Sequence, residues 1–173
     1  TVQIHSRQTI GFFDIPADDL EVIGILSTYF KRKKLKDLVV VSPDHGGVKR
    51  ARDMAEILGC PIAIIDKRRL KANEAEAMNL IGNVEEKNVI IVDDMVDTAG
   101  TIVSGVKMLK ENGAKDIYVA IGHPVLSGPA IERIENADIK KFICTDTIEL
   151  PEEKQIDKIE VVTVSKMLAD IIE

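Results

Sequence analysis

Apolar, β-branched runs recur along the chain at residues 38–41, 62–65, 89–92, 117–121 and 142–145, each short and bounded by turn or capping residues. Runs of that length and composition read as strands. Between them the period changes. Ala51, Met54, Ala55 and Leu58 recur at helical spacing within 48–58, and Ile102, Val106 and Leu109 do so within 102–109. Gly59 followed by Pro61 stops the first of these helices, and Asn112-Gly113 stops the second. A helix is also expected over 19–30, before the basic stretch Lys31, Arg32, Lys33, Lys34 and Lys36, which reads as a solvated helix end favoured by the carbonyl dipoles there. Pro129 fits the first turn of a short helix, and Ser165 the cap of the last one. Strands nearly continuous in Val and Ile are expected where helices cover both faces of a sheet. The pattern therefore predicts an α/β fold: an open, mostly parallel sheet flanked by helices.

Composition narrows the picture. The 173 residues, 45% of them hydrophobic, suit one sizeable core. A net charge of -6 and a pI near 5.2 argue against a nucleic-acid binder, which usually presents a basic surface. No apolar run approaches the roughly 20 residues needed to cross a bilayer, so no membrane partner is expected. Cys60 and Cys144 lie far apart without metal-ligand spacing and read as free, buried thiols of a reducing compartment, which makes the cytoplasm the expected location. Residues 1–5 already look like a strand in progress, so the chain is expected to begin inside something larger.

The sharpest chemical signal follows the run at 89–92, as Asp93-Asp94-Met95-Val96-Asp97-Thr98-Ala99-Gly100-Thr101. A buried strand delivers carboxylates to the crevice where open parallel sheets bind ligands. Small residues then let backbone N–H groups and the Thr98 and Thr101 hydroxyls approach a phosphate at a helix N-terminus. Asp93 and Asp94 would repel phosphate but accept hydrogen bonds from sugar hydroxyls. An ordinary capped helix needs only one of the acids Asp93, Asp94 and Asp97.

A second loop, Ser42-Pro43-Asp44-His45-Gly46-Gly47, follows the run at 38–41. Its glycines permit converging N–H groups, and Asp44 can help hold a divalent cation, a mixture that suits diphosphate with Mg²⁺. The bland alternative is a tight turn in which the glycines act sterically. After the run at 62–65 come Asp66-Lys67-Arg68-Arg69-Leu70-Lys71, cations that can meet charge developing in phosphoryl transfer or simply form a solvated loop. His45 reads equally as an anion donor or a solvated side chain, His5 as a packed side chain or a Mg²⁺-associated ligand, and His123 as part of another loop above the sheet with or without substrate contact.

In their shared order, Gly11-Phe12-Phe13-Asp14-Ile15-Pro16, Ser42 to Gly47, Asp66-Lys67-Arg68-Arg69, Val92 to Thr101 and Leu126-Ser127-Gly128-Pro129-Ala130 resemble the second half of the ribose-phosphate pyrophosphokinase family, over essentially the whole chain. That resemblance implies a type I phosphoribosyltransferase-like fold, with residues 1–24 an end segment resembling the family's first domain and 25–173 the ribose-phosphate-binding domain. It also implies transfer of the β,γ-diphosphoryl group of ATP to the C1 hydroxyl of ribose 5-phosphate, with Mg²⁺ as cofactor. By the same resemblance Lys67 and Arg69 are the catalytic basic pair, His5 and Asp44 are metal-associated, and Asp93 contacts ribose. Asp97, Thr98, Ala99, Gly100 and Thr101 hold the 5-phosphate, and Asp44, His45, Gly46 and Gly47 border the forming diphosphate. The complete family members resemble homo-oligomers.

Two departures bear on these expectations. Leu70-Lys71-Ala72 replaces a proline-rich continuation common in the bacterial pattern, and the half that supplies most nucleotide contacts has no counterpart here. Isolated turnover is accordingly expected to be weak. A synthetase-related regulatory or interaction module and a phosphoribosyltransferase acting on a base are the competing functions.

Overall fold

The computed structural model describes residues 1–68 and 77–172. Among the described residues, seven strands form one sheet: β1 (Leu38–Ser42), β2 (Ile62–Arg68), β3 (Ala77–Ile81), β4 (Asn88–Val96), β5 (Ile117–Pro124), β6 (Lys141–Thr145) and β7 (Ile159–Val162). Their order across the sheet is β3-β2-β1-β4-β5-β6-β7, with only the β2–β3 pair antiparallel. The helices are α1 (Ile23–Lys33), α2 (Val48–Leu58), α3 (Gly100–Glu111), α4 (Ala130–Asn136) and α5 (Ser165–Ile172). None among the described residues is long and apolar enough to cross a membrane.

Strand alternation explains why the runs are apolar throughout. Val39, Val41, Val89, Ile91, Ile117, Val119 and Ile121 face one buried cluster, with Ile102, Val106 and Leu109 of α3 and Ile134 of α4. Val40, Ile90, Val92 and Ala120 face the other, with Leu26 and Phe30 of α1 and Ala51 and Met54 of α2. Strands β1, β4 and β5 are thus covered on both sides, as the centre of a parallel sheet requires.

Several boundaries depart from expectation. Residues 1–5 form no strand; a single parallel bridge, Val2 with Leu20, fastens the segment. A 3₁₀ turn (Arg7–Phe12) follows, and α1 begins at Ile23, not at residue 19, because Leu20 pairs with the N-terminal segment. The strand at 89–92 extends through Val96, so Asp93 and Asp94 lie within β4 and Asp93 pairs with Ile121 of β5. Strands β3 and β7 at the two edges were not expected from the pattern. Cys144 is buried in β6, whereas Cys60, beyond the end of α2, is half-buried.

Successive strands run outward from β1 to β3, then the chain returns to lay β4 on the other side of β1 and continues to β7. The reversal falls between β1 and β4. Beyond the carboxyl ends of strands flanking such a reversal, open α/β sheets leave a crevice.

Candidate functional site

The loops that leave β1 and β4 meet in that crevice. A cavity of about 200 Å³ is lined by Asp44, Asp93, Met95 and residues 96–102. It brings together the first loop's acid, one acid of β4 and all five residues Asp97, Thr98, Ala99, Gly100 and Thr101.

The first loop is built by short local bonds. Ser42 Oγ donates to the Asp44 carbonyl at 2.6 Å, and Asp44 Oδ1 accepts the Gly47 N–H at 2.9 Å. A Cβ on Gly47 would stand 2.8 Å from Ser42 Oγ, so a larger residue here would push aside the hydroxyl that bonds the Asp44 carbonyl. Gly47 has an ordinary φ of -83°. Asp44 is exposed, and its Oδ2 has no protein partner among the described residues. His45 reaches sideways instead: its Nε2 bonds Asp66 Oδ1 on β2 at 2.7 Å, tying the loop to the strand that carries Lys67.

The second loop turns on Ala99, at φ 60° and ψ 6°, a left-handed conformation that costs a residue with a Cβ on the order of 1 kcal/mol. Such strain at a loop tip is a feature of ligand-binding turns. The carbonyls here are taken by protein donors: Asp97 accepts from the Ser127 N–H at 3.0 Å and Thr98 from Arg133 Nη1 at 2.8 Å. No side chain caps α3, so its leading N–H groups keep their capacity to bind an anion.

Between the loops lies an ionic cluster. Arg50, in the first turn of α2, bonds Asp93 Oδ1 at 2.9 Å through Nη1 and approaches Asp94 Oδ2 at 3.2 Å through Nη2. His5 Nδ1 bonds the same Asp94 Oδ2 at 2.6 Å, and Asp94 Oδ1 accepts the Met95 N–H. Burial would raise the Asp94 pKa, but the His5 hydrogen bond and the Arg50 charge outweigh it and hold this carboxyl below its ordinary value. A carboxylate can only accept, so the His5 Nδ1 carries the proton and Nε2 of the exposed ring keeps a lone pair when the ring is neutral. Burial pushes Asp93 up to about 7; Arg50 opposes this shift and the neighbouring Asp94 reinforces it. Two adjacent acids therefore differ in proton affinity.

The matches to known proteins fit this geometry. The family model described as "Phosphoribosyl transferase domain" matches residues 12–164. The chain belongs to the phosphoribosyl transferase domain family. Within that family it is 55% identical over 172 residues to proteins named ribose-phosphate pyrophosphokinase from Bacillus cereus and Corynebacterium ammoniagenes, covering 99% of this chain and 54% of each of those proteins. The crystal structure of phosphoribosylpyrophosphate synthetase from Mycobacterium smegmatis matches with a TM-score of 0.91 and 37% identity, covering 99% of this chain and 56% of that one. The chain thus spans about half the length of the curated relatives it matches. Its sheet is that of a type I phosphoribosyl transferase domain, the fold expected from the sequence.

Not every candidate residue reaches the cavity. His5 lines a neighbouring cavity of about 210 Å³ with Gly46, Lys49 and Arg50. Lys67 lies on β2 opposite Met78, with its side chain outside the described residues, and Arg69 lies outside them altogether. His123 is engaged by the protein, with Nδ1 2.8 Å from Thr147 Oγ1 and Nε2 2.8 Å from the Gln3 carbonyl. Two residues the sequence reading passed over help build the site: Arg50 and Arg133. Arg50 carried a signal, since a cation in the first turn of a helix opposes the helix dipole and implies an acidic partner.

Proposed function

We propose that this domain binds ribose 5-phosphate in the crevice between β1 and β4 and serves the transfer of diphosphate from ATP to its C1 hydroxyl, giving phosphoribosyl pyrophosphate and AMP. The observation that carries the reading is the single cavity uniting Asp44, Asp93 and the left-handed turn at Ala99. A sugar phosphate needs both an acceptor for hydroxyls and a cradle of N–H donors, at a spacing that keeps carboxylate and phosphate apart. Asp93 takes a ribose hydroxyl; Asp97, Thr98, Ala99, Gly100 and Thr101 take the 5-phosphate. His45, Gly46 and Gly47 border the diphosphate, and Lys67 and Arg69 meet the charge that develops as the C1 oxygen attacks. Relatives named ribose-phosphate pyrophosphokinase, 55% identical, support the same reaction.

Mg²⁺ fits the donors present. This ion usually takes one or two carboxylates together with substrate phosphates, and Asp44 retains an oxygen for it, with the His5 Nε2 a second candidate donor. Bound there, Mg²⁺ would neutralise and orient the phosphate oxygens. Among the described residues no group of three or more His, Cys, Asp or Glu is placed to hold an ion without them. The free thiols of Cys60 and Cys144 support a cytoplasmic setting, and assembly of several copies belongs to the same proposal.

Calorimetry with this chain tests the reading. Ribose 5-phosphate is expected to bind, and ATP to bind more weakly, since the resemblance assigns most nucleotide contacts to the family's other half. Strong ATP binding with no heat from ribose 5-phosphate would overturn it. Binding of phosphoribosyl pyrophosphate together with a free nucleobase would instead favour a base-transferring enzyme.

A further inference from the structure

We infer that Arg50 is a positioning residue that divides the labour between Asp93 and Asp94, presenting one carboxylate oxygen to the sugar and withdrawing the other acid from ligand contact. The inference rests on the ribose 5-phosphate reading above and adds to it a residue outside the two loops.

Asp94 is 5% exposed and both its oxygens are committed: Oδ1 to the Met95 N–H, Oδ2 to His5 and Arg50. It has nothing left to offer a sugar. Asp93 is held through Oδ1 alone, which accepts the Asp94 N–H at 2.9 Å and Arg50 Nη1 at 2.9 Å. No N–H donor among the described residues is bonded to its Oδ2, its carboxyl group stands within hydrogen-bonding reach of the Asp94 carboxyl, and Asp93 lines the cavity that Asp94 does not. Arg50 spans the two acids because a guanidinium is a planar fork; an ammonium could satisfy only one at a time. The fork is itself held, with the side chain only 19% exposed and packed beside Gly47. Without Arg50, Asp93 would be held by the Asp94 N–H alone, and two neighbouring carboxylates would lose the cation between them.

The consequence is a specific loss. Arg50 should matter to the sugar and not to the phosphate, whose proposed cradle lies on the loop after β4. Titration calorimetry with ribose 5-phosphate and with inorganic phosphate separates the two. Arg50→Gln is expected to weaken ribose 5-phosphate binding by about tenfold, the scale of one hydrogen bond to a charged group, while inorganic phosphate binds as in the parent chain. Asp93→Asn should reproduce that selective loss, and Arg50→Lys should recover only part of the affinity. Equal losses for both ligands, or full recovery by Arg50→Lys, would overturn the assignment. A second measurement needs no ligand: amide hydrogen exchange at Asp94 and Met95, whose N–H groups are bonded to the clamped carboxylates, should accelerate in Arg50→Gln while the N–H groups of residues 89–91 stay protected. Unchanged exchange would sink the clamp. If the parent chain bound ribose 5-phosphate no better than phosphate, the ribose reading would fail, and the exchange result would still decide whether Arg50 orders the acids.

Discussion

Asp93 holds its proton more tightly than an ordinary carboxyl, with a pKa near 7 set mainly by burial. The unfolded chain loses that proton near the usual Asp value, so between about pH 4 and pH 7 the folded state binds more protons than the unfolded one. The contribution is fully present below the unfolded pKa and is lost as pH rises through the folded pKa. Asp93→Asn, which cannot ionise, should therefore gain stability relative to the parent chain across this window, by up to about 4 kcal/mol, and then level off. Urea denaturation of both proteins at several pH values checks this; a difference independent of pH would show that Asp93 ionises normally. Asp94 has the opposite sign, contributing stability above its unfolded pKa that is lost in acid. These acids were visible in the sequence as a pair, but their unequal environments were not. The inequality comes from the burial of Asp93, which outweighs the Arg50 charge there, and from the hydrogen bond of His5 to Asp94, and His5 lies 89 residues from Asp94 along the chain.

At the scale of elements, the N-terminal segment, β4 and β5 converge on one small residue. A Cβ on Gly122 of β5 would stand 2.7 Å from the Asp94 carbonyl and 3.3 Å from Gln3 Cγ. The first contact is to backbone, which cannot swing aside. Gly122→Ala should cost about 1–3 kcal/mol through overpacking and displace the acid pair. A thermal melt and the ribose 5-phosphate affinity should fall together, and a variant as stable and as tight-binding as the parent would refute the packing argument. The sequence announced the elements at the centre of the sheet and missed those at its edges, for a physical reason. Val and Ile buried on both faces leave an unbroken apolar run, as in β1 and β4. Strand β3 contains Ala77, Met78 and Leu80, all good helix formers, and is a strand only because β2 pairs with it. Strand β7 is four residues long, with Val161 half exposed, and offers too short a run to announce itself.

For the molecule as a whole, the loops of the site could be read from residues that punctuate strand and helix, yet their meeting depends on strand order. Nothing in the local pattern says that β4 returns beside β1; that adjacency places Asp44 beside Asp93. The two unpaired thiols offer a way to time the opening of this sheet. Cys144 is fully buried between β5 and β7, and burial, aided by the charge of Asp146, pushes its pKa up to about 12. The thiolate is the reactive form, so in the closed molecule this sulfur is silent. Cys60 is only half-buried. A thiol reagent under native conditions should therefore label Cys60 directly and Cys144 only through rare openings. A ligand that binds only the closed sheet should slow the second reaction in proportion to its occupancy and leave the first alone. Mass spectrometry of the labelled protein would resolve the two. Equal rates would mean that β6 and β7 part without the rest of the sheet; widely separated rates make Cys144 an internal clock for the cooperative life of the fold.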